Sequence, residues 1–540
     1  MSAERWALIS VYNKKGVVEF AQRLVKLGWR IISSGGTAKA LTEAGVPVKD
    51  VAELVGGGPI LGHRVVTLSR QVHAALLADL KKPADIAELE GLNIPIIGMV
   101  VCDFYPLAMA IAKLGATIDS VVDMTDIGGP CMVRSAAKGG RIVICRMQDR
   151  EYILHILETQ GEVPAETIQS LRAIAEFEVA TYVATSAIFH GNGQFNGILG
   201  QKAVGIPKGE NGPQSPAGLF STGNDDPLAL DKILLLEGAP LGYCNWTDID
   251  RLLQTLTHIV AIFQTNFGTI PRIAVAVKHG NPCGAAVGDR EEVVRAVVKG
   301  DSLAVFGGWV MTNFPINEEL AEIMVTAGMK KGKVQKFDGI VAPAFTEGVG
   351  AFFERKGGRC RLMISHALAD CASLDTTPRL RQVRGGFIVQ PNYTYIPNLV
   401  DHKALAFEDK PKNFDRIVTD LALAWAVCAT SNSNTITIVK NGMLIGNGVG
   451  QQARVWAAKL AVMRARDAKH AGMLRGAVAC SDSFFPYTDA VKILIDAGIT
   501  AIFSTSGSKI GDEKVQALCE RNGVLLLQLP DIEARGFFAH

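Results

Sequence analysis

The feature that most constrains this chain is Ile273–Val277, five β-branched or small apolar residues with no polar interruption, stopping abruptly at Lys278-His279. An unbroken apolar run of that length is the pattern of a strand buried on both faces, which requires helices above and below a sheet. Lys278 and His279 then fall at the strand's carboxyl end, the edge where open α/β sheets present chemistry. Asn281-Pro282-Cys283-Gly284 reads as a turn directly after them. An ammonium beside an imidazole on a rigid strand end suits an acyl-type transfer. The imidazole moves a proton near neutral pH and the ammonium stabilises developing negative charge. Alone, the dipeptide is better read as a surface lysine and a core-satisfied histidine before a turn, and it is the surrounding context that favours chemistry.

The same alternation recurs elsewhere. Ala7–Val11, Arg30–Ser33, Ile96–Cys102 and Arg141–Cys145 read as strands, and Lys15–Leu27, Thr37–Ala44, Glu151–Thr159 and Glu166–Ile188 as helices. Thr435–Val439, Gly476–Ala479 and Thr500–Ser504 add later strands. Strand alternating with helix predicts an α/β protein with parallel sheets flanked by helices. Asn192–Asp226, rich in Gly, Pro, Asn and Ser, predicts a linker or a long loop. At 540 residues the chain exceeds one core and should form several domains. No short-period repeat is visible, and pattern alone does not say whether the later blocks duplicate one fold.

A formal net charge of +2 with no basic tract argues against a nucleic-acid partner. The ten cysteines are scattered singly, with neither a C-x-x-C pair nor a His/Cys ligand spacing. That pattern predicts free thiols, a reducing compartment, a cytoplasmic location and no metal. The stretch Leu421–Val439 lacks charge, but the polar run at 430–435 interrupts it, so no membrane span is expected. The first residues, MSAERWALISV, lack the form of a signal peptide.

Several strand-end loops could hold ligands. Ser33-Ser34-Gly35-Gly36-Thr37 joins a strand to a helix, and its glycines and hydroxyls suit a phosphate, with Ser10 and Lys14 able to converge on it. A tight turn with an N-cap explains the same residues. Asp126-Ile127-Gly128-Gly129-Pro130 precedes Arg134 and Lys138, which share a helix face. Tyr105 follows the Ile96–Cys102 strand. Asp482-Ser483-Phe484-Phe485 offers an acidic anchor beside a flat apolar wall, or an N-cap before core phenylalanines. Gly446–Gln452 and Thr505–Ser508 read as flexible polar loops.

Taken in order, ALISV with Lys14, SGGTAKAL, Arg64 with Thr67-Leu68, Tyr105-Pro106, DIGGP with AAK, VKHGNPCG, FGG, DGIVAP, Ser433-Asn434, GQQAR, SDSFFP, SGS and Arg535 with His540 resemble one family over nearly the whole chain. It is the bifunctional 5-aminoimidazole-4-carboxamide ribonucleotide (AICAR) transformylase/inosine monophosphate (IMP) cyclohydrolase family of purine biosynthesis. The resemblance implies a methylglyoxal-synthase-like parallel-sheet domain over 1–191 and a linker or loop over 192–226. Two cytidine-deaminase-like α/β/α units would follow, over 227–400 and 401–540. It implies a homodimer, with 10-formyltetrahydrofolate as co-substrate and a purine ribonucleotide as substrate, and without metal. Lys278, His279 and Asn434 would carry formyl transfer, with Asp482, Phe484, Phe485 and Arg535 binding substrate. Tyr105, Asp126 and Lys138 would carry ring closure, with Ser10, Lys14, Ser34, Gly36, Thr37, Arg64 and Thr67 holding the nucleotide.

The chain departs from the family at informative places. Val66 and Ser69 stand where the family has Lys and His, Pro207 where it has a phosphate-binding Arg, Pro213 where it has a His, and Ala429 where it has a Lys. Those losses leave two further readings open: a transformylase with impaired cyclohydrolase, and a nucleotide- or folate-binding regulator without turnover.

Overall fold

The computed structural model describes residues 4–58, 60–61, 65–400 and 413–540. The chain divides into two units, Met1–Leu199 and Gly200–His540.

In the first unit β1 (Arg5–Ser10), β2 (Trp29–Ser33), β3 (Val48–Asp50), β4 (Ile97–Cys102) and β5 (Ile142–Ile144) form an all-parallel sheet in the order β3-β2-β1-β4-β5. Side chains of β1 alternate between two cores. Ala7 and Ile9 pack with Phe20 and Leu24 on one face, and Trp6 and Leu8 with Leu76 and Val133 on the other. Each fully buried aliphatic side chain of this kind contributes about 1.5–3 kcal/mol. The strand order reverses at β1, which opens a crevice beyond the carboxyl ends of β1 and β4. The helix after β2 spans Gly35–Glu43, two residues ahead of its expected start, so the glycine pair forms its first turn.

The second unit begins with β6 (Gln201–Ile206) and β7 (Ala217–Ser221), an antiparallel pair inside the segment read as linker or loop. Pro207, Gly209, Gly212 and Pro213 lie in the connection between the two strands, and their turn chemistry dominates the composition there.

Its main sheet has eleven strands, in the order β20-β19-β18-β16-β17-β10-β9-β11-β12-β13-β8. These are β8 (Leu234–Glu237), β9 (Arg272–Lys278), β10 (Asn281–Gly288), β11 (Trp309–Thr312), β12 (Gly339–Ala342), β13 (Arg361–Ile364), β16 (Ile436–Lys440), β17 (Met443–Gly448), β18 (Val478–Ser481), β19 (Ala501–Ser506) and β20 (Leu525–Pro530). A separate hairpin pairs β14 (Arg379–Val383) with β15 (Gly386–Gln390).

Ten strands of that sheet are one five-stranded motif used twice. In each copy a helix (Tyr243–Phe267, Phe414–Ala429) leads into a hairpin (β9–β10, β16–β17), then a helix (Arg290–Gly300, Arg454–Asp467), then three strands mutually parallel and antiparallel to the hairpin's first strand. The two copies meet where β10 pairs with β17. Along β9 the large residues Ile273, Val275 and Val277 pack in a core with the two leading helices, while Ala274 and Ala276 face Val294 and Val297 on the other side.

Three turn or loop expectations change. The sequence Asn281–Gly284 starts β10, and the reversal is at His279-Gly280, where φ is +54° and +70°. Positive φ at both central residues is what a two-residue type I′ hairpin needs. Pro282 is tolerated in β10 because the register shifts there. Gly446 and Gly448 lie in buried β17 rather than in a polar loop. A Cβ on either would come within 2.3 Å of a carbonyl oxygen, of Ala461 or Ala457, so the alanine-rich Arg454–Asp467 helix seats directly on the strand. Thr505 and Ser506 likewise end β19. Among the described residues, no helix is long and apolar enough to cross a membrane.

Candidate active site

Lys278 ends β9 half-buried, and its Nζ donates to Phe306 O at 2.7 Å. His279 follows at the surface in the left-handed turn. Beneath it Asp248, 7% exposed on the Tyr243–Phe267 helix, accepts from the Gly280 amide at 2.7 Å and from the His279 amide. Burial pushes the Asp248 carboxyl up from its ordinary value, and those two amides oppose the shift. Asn281 Oδ1 then accepts from the Asn432 amide at 3.1 Å, and Asn447 Nδ2 donates to Pro282 O at 2.9 Å. The Lys278-His279 turn of the first copy is thereby stitched to the Ser431–Asn434 loop of the second.

Asn434 is half-buried, with Nδ2 donating to Gln451 O at 2.7 Å. It lines a cavity of about 450 Å³ together with Arg454, Phe484, Phe485, Arg535 and His540. Phe485 is buried in the core behind the wall, and Phe484 is half-exposed with the Arg535 guanidinium 5.8 Å from its ring centroid. Arg535 Nη2 pairs with Asp531 Oδ2 at 2.6 Å. Asp482, expected as an anchor for substrate, is turned inward. Its fully buried carboxylate accepts from Ser433 Oγ at 2.5 Å and is ion-paired with Arg454. The chain's last residues run along the same loop, with Phe538 N donating to Ser431 O and Ser433 N to Ala539 O, each at 2.9 Å. Phe538 itself lies between the guanidinium groups of Arg251 and Arg379.

In the first unit several of the expected residues lie at the carboxyl ends of β1, β2 and β4. Ser10 ends β1, and Lys14 follows it with Nζ donating to Val11 O and, at 3.3 Å, to Tyr12 O. Burial lowers the Lys14 pKa, opposed by Asp103. Lys14 Cε comes to 3.9 Å of a Cβ built on Gly36. Thr37 is turned inward, its hydroxyl donating to Val11 O at 3.0 Å and accepting from Val11 N at 3.2 Å. Ser34, Gly35, Lys39, Asp50 and Val66 line a cavity of about 390 Å³. Val66, where the family has a cation, is therefore on the wall of this site. Arg64 lies outside the described residues.

Asp126 accepts from Gly129 N at 2.8 Å and from the Tyr105 amide, and burial raises its carboxyl pKa. A Cβ at Gly129 would lie 2.6 Å from Asp126 Oδ2, and one at Gly128 2.9 Å from Thr67 Oγ1. The glycine pair lets Asp126 and Thr67 close on the helix start. Tyr105 is 44% exposed, edge-on to Tyr12 with centroids 5.5 Å apart. Lys138 is not brought to this group. It ends the Gly128–Lys138 helix that Asp126 precedes, a rise of roughly 15 Å at the α-helical pitch.

Sequence reasoning did not single out Asp248, Asn281, Arg454 or Asp531. Asp248 left a usable signal, as the first of a helically spaced polar stripe (Asp248, Arg251, Thr255, His258) on a long helix whose other buried residues are mostly apolar.

The model of the AICARFT/IMPCHase bienzyme family matches residues 136–464, and that of the MGS-like domain matches residues 16–131. The chain is 34% identical to the bifunctional purine biosynthesis protein PurH of Anoxybacillus flavithermus over 527 residues, 95% of this chain and 96% of that protein. It is also 34% identical to PurH of Mycobacterium leprae over 549 residues (97% and 95%) and to PurH of Synechocystis sp. over 534 residues (97% and 98%).

Proposed function

The chain belongs to the AICARFT/IMPCHase bienzyme family, and from that premise we propose that its second unit transfers a formyl group and its first unit closes the ring. The protein is a bifunctional enzyme of purine biosynthesis: AICAR is formylated, and the product is dehydrated to IMP. The formyl donor is 10-formyltetrahydrofolate.

In formyl transfer the 5-amino nitrogen of AICAR attacks the formyl carbon. A C–N bond forms there as the bond from formyl carbon to the folate N10 breaks. His279 takes the proton that the attacking amine loses. Lys278, held by Phe306 O, stabilises the oxyanion of the tetrahedral intermediate, and N10 leaves with a proton. Asn434 orients the carboxamide, Phe484 packs on a ring, and Arg535 faces the phosphate. Asp482 acts through Arg454 and Ser433, setting the wall that carries Asn434. Ring closure joins the carboxamide nitrogen to the formyl carbon and expels water. Asp126 and Tyr105 sit at the β4 end for that step, with Ser10, Lys14, Ser34 and Gly36 around the nucleotide.

The observation that carries this reading is the link from the His279 turn through Asn281 to the Asn432–Asn434 loop, which joins the proton acceptor to the cavity wall. His279 is exposed and does not line that cavity, which supports a homodimer in which a second subunit completes the transfer site. Exposed apolar residues on β15 (Phe387, Ile388, Val389) and β8 (Leu234, Leu235, Leu236) support the same assembly. The ten free cysteines are in keeping with a cytoplasmic enzyme. Incubating purified protein with AICAR and 10-formyltetrahydrofolate tests the function. IMP is the expected product; formyl-AICAR without IMP above the uncatalysed rate removes the cyclohydrolase, and absence of both products removes the enzyme.

A further inference from the structure

We propose that Asp248 is a positioning residue for formyl transfer: its carboxylate clamps the backbone of the left-handed His279-Gly280 turn and so fixes where the imidazole points. The proposal rests on the reading of His279 as the proton acceptor.

The geometry is unusual in two respects. His279 is a non-glycine residue at φ +54°, a region that side-chain-bearing residues enter at a cost. Asp248 is a carboxylate withdrawn from water in the second turn of the Tyr243–Phe267 helix, where burial disfavours its charge. Each feature accounts for the other. The two turn amides are donors that a charged acceptor holds more strongly than a neutral one, and their bonds oppose a turn opening that would swing the side chain at position 279.

The duplicated motif contains the same device a second time. Thr419-Asp420 on the Phe414–Ala429 helix stands where Thr247-Asp248 stands on the first, and Val439-Lys440-Asn441-Gly442 where Val277-Lys278-His279-Gly280 does. Asp420 accepts from the Asn441 amide at 2.9 Å and from the Gly442 amide at 2.6 Å, with φ of +52° and +69°. Lys440 Nζ donates to Gly476 O ahead of β18, as Lys278 Nζ does to Phe306 O ahead of β11. The second copy carries asparagine, a residue at ease in the left-handed region, where the first carries histidine. The clamp therefore belongs to the motif, and in one copy it holds an imidazole.

The second copy supplies an internal control. Formyl transfer is measured for wild type, Asp248→Asn, Asp248→Ala, Asp420→Asn and Asp420→Ala in the full-length protein, with melting temperatures recorded for each. A 1 Å misplacement at a reacting centre costs on the order of 100-fold. We expect kcat to fall roughly tenfold in Asp248→Asn and roughly 100-fold in Asp248→Ala, with KM within about twofold. The Asp420 variants should lower the melting temperature and leave kcat within about twofold. In a His279→Ala background, Asp248→Asn should cost nothing further, since two residues acting as one unit are not additive. Equal kcat losses from the Asp248 and Asp420 changes, a loss confined to KM, or full additivity with His279→Ala would overturn the proposal. If His279→Ala alone leaves the rate unchanged, the underlying role of His279 fails instead, a separate outcome.

Discussion

Asn281 Oδ1 accepts the backbone amide of Asn432 at 3.1 Å, the hydrogen bond by which the Lys278-His279 turn in one copy of the motif is tied to the Ser433-Asn434 loop in the other. A strand end and a loop separated by some 150 residues of chain are thereby held at one sheet edge. Removing the acceptor leaves a half-buried amide without its partner, a cost of about 1–3 kcal/mol. We expect Asn281→Ala to lower formyl-transfer kcat about tenfold, while Asn281→Asp, which keeps an acceptor, stays within about threefold. Steady-state kinetics of the two variants decide it, and equal rates would contradict the tie.

Val66 lines the first unit's cavity beside Ser34 and Gly35. An apolar side chain there supplies neither charge nor a hydrogen bond to the developing oxyanion of ring closure. Loss of one such donor typically costs 100- to 1,000-fold, about 2.7–4 kcal/mol. Val66→Lys should therefore raise the rate of IMP formation from formyl-AICAR by about tenfold or more. Formyl transfer should be unchanged. An unaltered closure rate would show that the vacancy is not limiting.

Asp126 is raised by burial above its ordinary carboxylate value. A group raised in the folded state binds its proton more tightly there than in the unfolded chain. Its stabilising contribution is then complete below the unfolded carboxylate range and is withdrawn as pH climbs through the raised folded value. Measured against Asp126→Asn, wild type should lose relative stability from about pH 4 upward and level off above the folded pKa. Denaturation midpoints at a series of pH values test the sign, and a gap that widens in favour of wild type with rising pH refutes it.

Cys283 sits four residues beyond His279, yet burial pushes its thiol up to about 12. Cys131 and Cys244 are the exposed thiols. Brief treatment of native enzyme with iodoacetamide near neutral pH should label those two and spare Cys283, because the thiolate is the reactive form. Peptide mapping by mass spectrometry reads the result, and rapid labelling of Cys283 would mean that β10 opens in the native state.

Strand positions were legible in the sequence because two-sided burial writes them as unbroken apolar runs. Ile273–Val277 and Ile96–Cys102 lie within one or two residues of β9 and β4. The places that misled share a cause, since glycine has two uses. In Gly446-Asn447-Gly448 it permits a helix to pack on a strand, not a flexible loop, and only the Ala457 and Ala461 carbonyls reveal this. The motif's duplication was present in the sequence as Val277-Lys278-x-Gly280 and Val439-Lys440-x-Gly442, too short a match to separate from chance without the paired sheet. Side-chain direction was not legible. Asp482 and Thr37 have the residue types of ligand-binding groups, but both spend their polar atoms on neighbouring protein.

The most direct test of the central claim is the rate of formyl transfer from 10-formyltetrahydrofolate to AICAR in His279→Ala, measured in a single turnover beside wild type. General-base assistance of this kind is worth on the order of 100- to 10,000-fold, and a loss in that range with retained nucleotide binding is the predicted result. A single-turnover rate within about twofold of wild type would contradict it, because the imidazole at the β9 turn would then have no part in moving the proton.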